Sequence, residues 1–152
     1  MLKKIFFIFI LLNLLSHCDY KPVYSNQNKL NYKIIINNYS GDKYINNILA
    51  TNLKRNSKDR DNKIINISFD TKYTKDILAR NSAGTITDYQ SNVITTFVIK
   101  RKEVSENFVV SEKFNFKKMT DKYEEKNYER NIKKNIADTI SQKVILRLAI
   151  IE

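Results

Sequence analysis

Hydrophobic positions fall into two regimes along the chain. A short basic start, Met1-Leu2-Lys3-Lys4, is followed by an apolar run from Ile5 to Leu15 broken only by Asn13. That run is too short for a membrane-spanning helix, which needs roughly 20 apolar residues. It fits the apolar core of a secretion signal, roughly 7–15 residues after a positive start. Beyond it the spacing becomes periodic. Tyr32 to Tyr39 contains Ile34-Ile35-Ile36, a β-branched run that reads as a first strand. Ser40-Gly41-Asp42 punctuates it, and Asp42 or Ser40 can cap the helix that follows. In that helix Ile45, Ile48, Leu49 and Leu53 form one stripe, with Asn46, Asn47, Asn52 and Lys54 off it. The helix should fade near Asn56, before a charged loop from Ser57 to Asn62.

The middle of the chain alternates instead. Ile65, Ile67, Phe69, Thr71 and Tyr73 are interleaved with Asn66, Ser68, Asp70 and Lys72, which predicts a strand with one apolar and one wet face. It continues through Ile77 and Ala79 to a turn at Asn81-Ser82-Ala83-Gly84. Tyr89, Ser91, Val93, Thr95, Phe97 and Ile99 make one face of the next strand. Ile94 and Val98 on its other face predict a far end covered on both sides. Arg101 to Asn107 is expected as a hairpin turn. Phe108, Val110, Phe114 and Phe116 share a face of a last strand, with Glu112 the odd member. Asp121 starts a long helix, with Glu124 three residues on as a capping box. Tyr128, Ile132, Ile136, Ile140, Val144 and Leu148 recur every four residues, and Ala137, Ile145 and Ile151 widen the stripe. Glu124, Glu125 and Glu129 lie early and Lys143 and Arg147 late, which suits the helix dipole. The expected fold is α+β, with two helices on one face of a four-stranded, mainly antiparallel sheet in the order β-α-β-β-β-α.

Composition adds a compartment. Cys18 is the single cysteine of the 152 residues and stands three residues past the end of the apolar run. A thiol at that place can carry a diacylglyceryl group, and the amine freed by cleavage a further acyl chain. Residues 1–17 are then a lipoprotein signal peptide, 18–31 a lipidated tether containing Pro22, and 32–152 one domain. Leu15 and Ser16 fit the cleavage box, whereas His17 stands where a small residue is usual. A plain signal peptide or membrane anchor with an incidental cysteine shares the pattern. Two or three acyl chains anchor stably where one does not. No second cysteine exists for an internal disulfide, so the domain must hold by its core.

The net charge is +11, and loss of Lys3 and Lys4 with residues 1–17 leaves 135 residues at +9. The basic residues are spread along the chain amid abundant Asn and Ile, and an extracytoplasmic protein does not meet nucleic acid. Anionic lipid headgroups or phosphorylated glycolipid are the partners such a charge suits, beside mere solubility. Catalytic sets are missing. His17 is the single histidine and leaves with the signal, which removes triads and His or Cys zinc ligands. The carboxylate pairs Glu124-Glu125 and Asp59-Asp61 sit in charged stretches that read as solvated faces, and two separate glycines cannot build a phosphate loop. No catalytic residue, metal or cofactor is expected. Tyr73, Tyr89 and Tyr128 are expected in the core.

Cys18-Asp19-Tyr20-Lys21-Pro22-Val23-Tyr24 resembles the start of mature LptE lipoproteins, which often read Cys-Gly-Phe-(Arg/His/Gln)-Pro-Leu-Tyr, and Asp19 stands in place of the usual glycine. The alternating strand reaching Leu78-Ala79-Arg80 and the long last helix ending in Ile145-Leu146-Arg147-Leu148 agree in order with that family. The resemblance implies a non-enzymatic outer-membrane lipoprotein, facing the periplasm, that assists assembly of the LptD β-barrel, plugs it and contacts lipopolysaccharide. Family members often carry Arg at the position of Arg80, which makes it a candidate contact. Lys117 and Lys118, at the end of the last strand, are weaker ones. The alternatives are an auxiliary lipoprotein of another envelope lipid-transport complex and a carboxylate-dependent periplasmic hydrolase.

Overall fold

The computed structural model describes residues 30–58 and 63–150, so Cys18, the signal segment, most of the tether, the Asp59-Asp61 pair and Ile151 lie outside the described residues. Six elements follow one another: β1 (Lys33–Gly41), α1 (Lys43–Arg55), β2 (Ile64–Arg80), β3 (Ile86–Arg101), β4 (Val104–Lys117) and α2 (Lys122–Ile150). The strands lie side by side in chain order. β1 and β2 are parallel, which requires a crossover, and α1 supplies it. The β2–β3 and β3–β4 ladders are antiparallel. The sheet is therefore mixed, within the expected α+β order.

Alternation decides which face the helices cover. Ile65, Ile67 and Phe69 of β2 and Val93, Phe97 and Ile99 of β3 are buried beneath Ile45, Leu49 and Leu53 of α1 and Ile132, Ile136, Ile140 and Val144 of α2. One rung carries an aromatic row across all four strands. Tyr39, Phe69, Phe97 and Phe108 pair in register, with successive ring centroids 5.4, 5.5 and 5.2 Å apart. Such cross-strand pairs each add a few tenths of a kcal/mol or more to a sheet. Asp42 is the cap of α1, its Oδ1 accepting from the N–H groups of Tyr44 and Ile45 at 3.0 Å each.

Several expectations need correction. The charged stretch 101–107 is mostly strand: β3 runs to Arg101, β4 starts at Val104, and the turn is Lys102-Glu103, with Lys102 at φ 50°. Charge misleads there because an edge strand and an open face hold polar residues without breaking the ladder. β1 extends past Tyr39, since Ser40 and Gly41 pair with Asp70 and Thr71. Ile94 is 38% exposed, so the second face of β3 is not covered. Asn46, placed off the apolar stripe, is buried, because its Nδ2 donates to the Ser40 carbonyl at 2.7 Å where β1 turns into α1. Asn52 joins the helices, donating to Asp138 at 2.8 Å and to Ser141 at 3.2 Å. Asp121 caps α2 through Tyr123 and Glu124 N–H, but it is Glu125 that turns back, accepting from Met119 N–H at 3.0 Å.

The two ends of the sheet differ. Leu30, buried, donates its N–H to the Asn56 carbonyl at 3.0 Å, so the described chain enters beside the end of α1 and the start of β2. β1 stops opposite Thr71, and α1 turns back from that level. The β2–β3 hairpin and the end of β4 run on past them. At about 3.3 Å per residue, the turn after Arg80 stands roughly 50 Å from the entry end.

Candidate functional site

The extended end of the sheet has only the first turns of α2 above it. Those turns carry Glu125 and Glu129 toward the sheet, and their anchorage is polar. Lys75 Nζ lies 2.8 Å from Glu125 Oε1 and 3.1 Å from Glu129 Oε2. Its ammonium sits 4.3 Å from the Tyr89 ring centroid and 5.2 Å from that of Phe116, within cation–π range. The Tyr73 hydroxyl donates to Glu129 at 2.7 Å and meets Ser91 Oγ at 3.0 Å. Lys133 spans the seam, 2.8 Å from Asp42 Oδ2 and 3.8 Å from the Tyr73 ring centroid. β-strand alternation puts Tyr73, Lys75, Tyr89 and Ser91 on the helix-facing side, and helical spacing brings Glu125 and Glu129 over one lysine.

These contacts move ionisations. The hydrogen bond from Lys75 holds the Glu125 carboxyl below its ordinary range against the opposing effect of burial, with help from Met119 N–H. Burial pushes Asp42 up, but the N–H of Ile45 and the ammonium of Lys133 outweigh it and leave the group lowered. Burial also disfavours charge on Lys75, and its bonds to Glu125 and Glu129 reverse that into a raised value. Burial raises Tyr73 far above a free phenol, so it stays a hydroxyl donor. The two carboxylates that converge thus share one ammonium. Glu124, its neighbour in sequence, is exposed. Among the described residues no group of three or more His, Cys, Asp or Glu could hold a metal ion.

The structure brings Arg80, Lys117 and Lys118 together. Arg80 ends β2 opposite Ile86, Lys117 ends β4 opposite Asp88, and Lys118 N–H donates to the Thr87 carbonyl between them at 2.8 Å. All three are exposed at this end. Arg80 also has a structural task, since its guanidinium donates to the Gly84 carbonyl at 2.8 Å and braces the turn. Ile77, in register opposite Tyr89, and Leu78, skipped by the bulge between Ile77 and Ala79, are 48% and 47% exposed near Arg80. Spacing alone missed Lys75 and the bulge. The signal for Lys75 was a lone cation in the helix-facing register of an alternating strand. The bulge had no sequence signal. Tyr73 and Tyr89 face the helix layer as expected, but Tyr128 lies at the margin, 39% exposed, with its ring edge toward Phe116 at 6.0 Å.

The second face of the sheet has no helix over it. Asn66, Ser68, Asn92, Thr96, Asn107, Ser111 and Asn115 line it, with Ile35, Ile64, Ile94 and Val109 among its exposed apolar members. Among the described residues no helix is long and apolar enough to cross a membrane.

By sequence the chain matches no protein-family model and no curated protein. By structure it resembles rare lipoprotein B from Shewanella oneidensis, with a TM-score of 0.53 at 14% identity over 72% of this chain and 92% of that one. Two further similar structures are a minor lipoprotein from Acinetobacter baumannii (TM-score 0.47, 12% identity, 76% and 92% covered) and lipoprotein B from Nitrosomonas europaea (TM-score 0.47, 13% identity, 77% and 84% covered). The likeness to the Shewanella protein is one of fold: the chain shares with it the layer of two helices on a four-stranded sheet.

Proposed function

We propose that this chain is a non-enzymatic lipoprotein of the outer membrane, anchored through Cys18, that seats its hairpin end in the LptD β-barrel and presents that end to lipopolysaccharide. The observation that carries the reading is the convergence of Arg80, Lys117 and Lys118 beside exposed Ile77 and Leu78, at the end of the sheet away from Leu30. A phosphorylated, acylated glycolipid needs cations next to apolar surface, and this end of the sheet carries both, on β2 and at the end of β4. The residues from Cys18 to Leu30 span at most about 40 Å when fully extended, which is less than the roughly 50 Å to the tip. The domain is therefore longer than the tether that would hold it. The uncovered sheet face is polar and suits the hydrogen-bonding wall of a barrel lumen. The fold shared with a rare lipoprotein B supports an envelope lipoprotein, and the sharing of Lys75 by Glu125 and Glu129 supports a non-catalytic role.

The test is a double charge reversal, Arg80→Glu with Lys117→Glu, in the tagged full chain recovered from membranes. Lipopolysaccharide captured with it should fall at least about tenfold, since each basic group near an anionic lipid surface contributes roughly 1 kcal/mol. Co-purification of the barrel should persist. Unchanged glycolipid capture in a variant that melts like the parent overturns the tip assignment. Recovery of inner-membrane transporter components in place of a large β-barrel overturns the assignment to LptD.

A further inference from the structure

A second basic feature lies on the other layer of the molecule. α1 and α2 enclose between their outer surfaces an open groove of about 470 Å³, lined by Tyr44, Asn47, Thr51, Arg55, Lys134 and Asp138 among others. Its one lining carboxylate is occupied: Asp138 accepts from Asn52 at 2.8 Å and from Lys134 at 3.1 Å. Arg55 forms no ion pair with any carboxylate among the described residues. Lys134 has three donors and gives one of them to Asp138. Asn47 accepts from the Tyr39 hydroxyl through Oδ1, which leaves its amide N–H₂ to donate. The excess positive charge continues along α2, where Lys126, Arg130 and Lys134 follow at four-residue spacing and so share a helix face. Arg130 sits over the Tyr44 ring, 5.0 Å from its centroid, at the start of the same groove.

Position narrows the occupant. Arg55 ends α1 next to Asn56, the residue that receives the N–H of Leu30 where the described chain enters. The groove runs along α1 from Tyr44 to Arg55, and its Arg55 end lies at the tether end of the domain, away from Arg80, Lys117 and Lys118. We propose that it seats the phosphate of an anionic phospholipid headgroup in the leaflet that carries the anchor, with Arg55 and Lys134 as the paired cations and Asn47 as a neutral donor. An arginine fork on one wall and an ammonium on the other suit a tetrahedral phosphate, the first by bidentate bonds and the second as a point charge. The cations Lys72, Lys100 and Lys113 on the uncovered sheet face are interleaved with Asp70, Asp76 and Asp88. Occupied, the groove holds the domain against its own leaflet in one orientation and aims the hairpin end away. The inference rests on the chain being membrane-anchored, and not on the identity of the barrel or the glycolipid.

The test uses the full chain in vesicles of phosphatidylglycerol with phosphatidylcholine, carrying a benzophenone amino acid at Thr51 in the groove or at Asn107 on the uncovered face. Lipid adducts are counted by mass spectrometry after illumination. Phosphatidylglycerol adducts should form at Thr51 several-fold above Asn107. They should fall by about 25-fold in Arg55→Gln with Lys134→Gln, each cation being worth roughly fivefold near an anionic surface. Lys100→Gln with Lys113→Gln should leave them unchanged. Equal adducts at the two positions, equal adducts in vesicles of phosphatidylcholine alone, or insensitivity to the groove substitutions overturn the inference. Loss of adducts on adding millimolar inorganic phosphate overturns the lipid source in favour of a free-phosphate site. A chain that fails to float with the vesicles overturns the anchor, whereas one that floats without adducts overturns only the groove.

Discussion

Replacing Lys75 with Met asks how the first turns of α2 are held to the sheet. Methionine keeps an unbranched stem against Tyr89 and Phe116 and removes the ammonium that Glu125 and Glu129 share. The side chains of Lys75, Glu125 and Glu129 are 23%, 17% and 22% exposed, so they lie between the fully buried and surface cases. Removing one partner of a buried ion pair costs about 3–5 kcal/mol, and exposed pairs are worth about 0–1 kcal/mol. Two carboxylates left without their cation in this intermediate setting give an expected loss of about 2 kcal/mol. Loss of the cation–π contacts adds about 0.5 kcal/mol or more. In a domain of this size the sum lowers the melting temperature by roughly 6–10 °C. Urea unfolding should show a lower midpoint with an unchanged slope, because the surface exposed on unfolding is the same. Amide exchange should rise first over residues 122–130, since apolar anchorage of α2 resumes at buried Ile132. A loss under about 0.5 kcal/mol, or exchange that rises uniformly, would refute a local clamp at Lys75.

The two glycines separate close approach from backbone conformation. Gly41 has φ +93°, and a Cβ there would lie 1.9 Å from the Thr71 carbonyl oxygen, the same oxygen that accepts Asp42 N–H at 2.9 Å. Gly41→Ala should cost more than about 3 kcal/mol, because left-handed strain adds to a displaced strand end. Gly84, at φ +79° with nothing within 4 Å of its Cβ position, should cost only about 1 kcal/mol as Gly84→Ala. Equal losses in urea unfolding would contradict the packing at Thr71. Acid should weaken the domain through the lowered carboxyls Glu125 and Asp42. A depressed folded value means the stabilisation is complete above the unfolded value, about 4 for these groups. It is lost as pH falls through the lower folded value. Melting temperature followed from pH 7 to pH 3 should hold until about pH 5 and then drop. The drop should be smaller in Lys75→Met with Asp42→Asn, and an unchanged drop would sink the assignment to these two groups.

Which parts of this architecture could be read without coordinates depends on how local their cause is. Alternation from Ile65 to Tyr73 and the four-residue stripe from Ile132 to Leu148 determined two elements and their buried faces, because side-chain direction in a strand or helix repeats with the backbone. Asp42 and Asp121 marked helix starts for the same local reason: a short carboxylate reaches the next two or three N–H groups. The charged stretch 101–107 deceived because composition signals solvent, and solvent lies beside an edge strand as well as a loop. Asn46 deceived because a single carbonyl at the end of β1, six residues back, decides its burial.

The candidate sites divide in the same way. The sequence by itself made Cys18 a candidate anchor and Arg80, Lys117 and Lys118 candidate contacts at strand ends, and it set the order of elements. Only the tertiary structure decided that those three cations share one end, that the described chain enters at the other, and that Arg55 and Lys134, which are far apart along the chain, border one groove. Register and packing are cooperative, long-range properties. The bulge at Ile77–Ala79, the parallel pairing of β1 with β2 and the seating of α2 on Lys75 arise from residues that meet only when the whole sheet has formed.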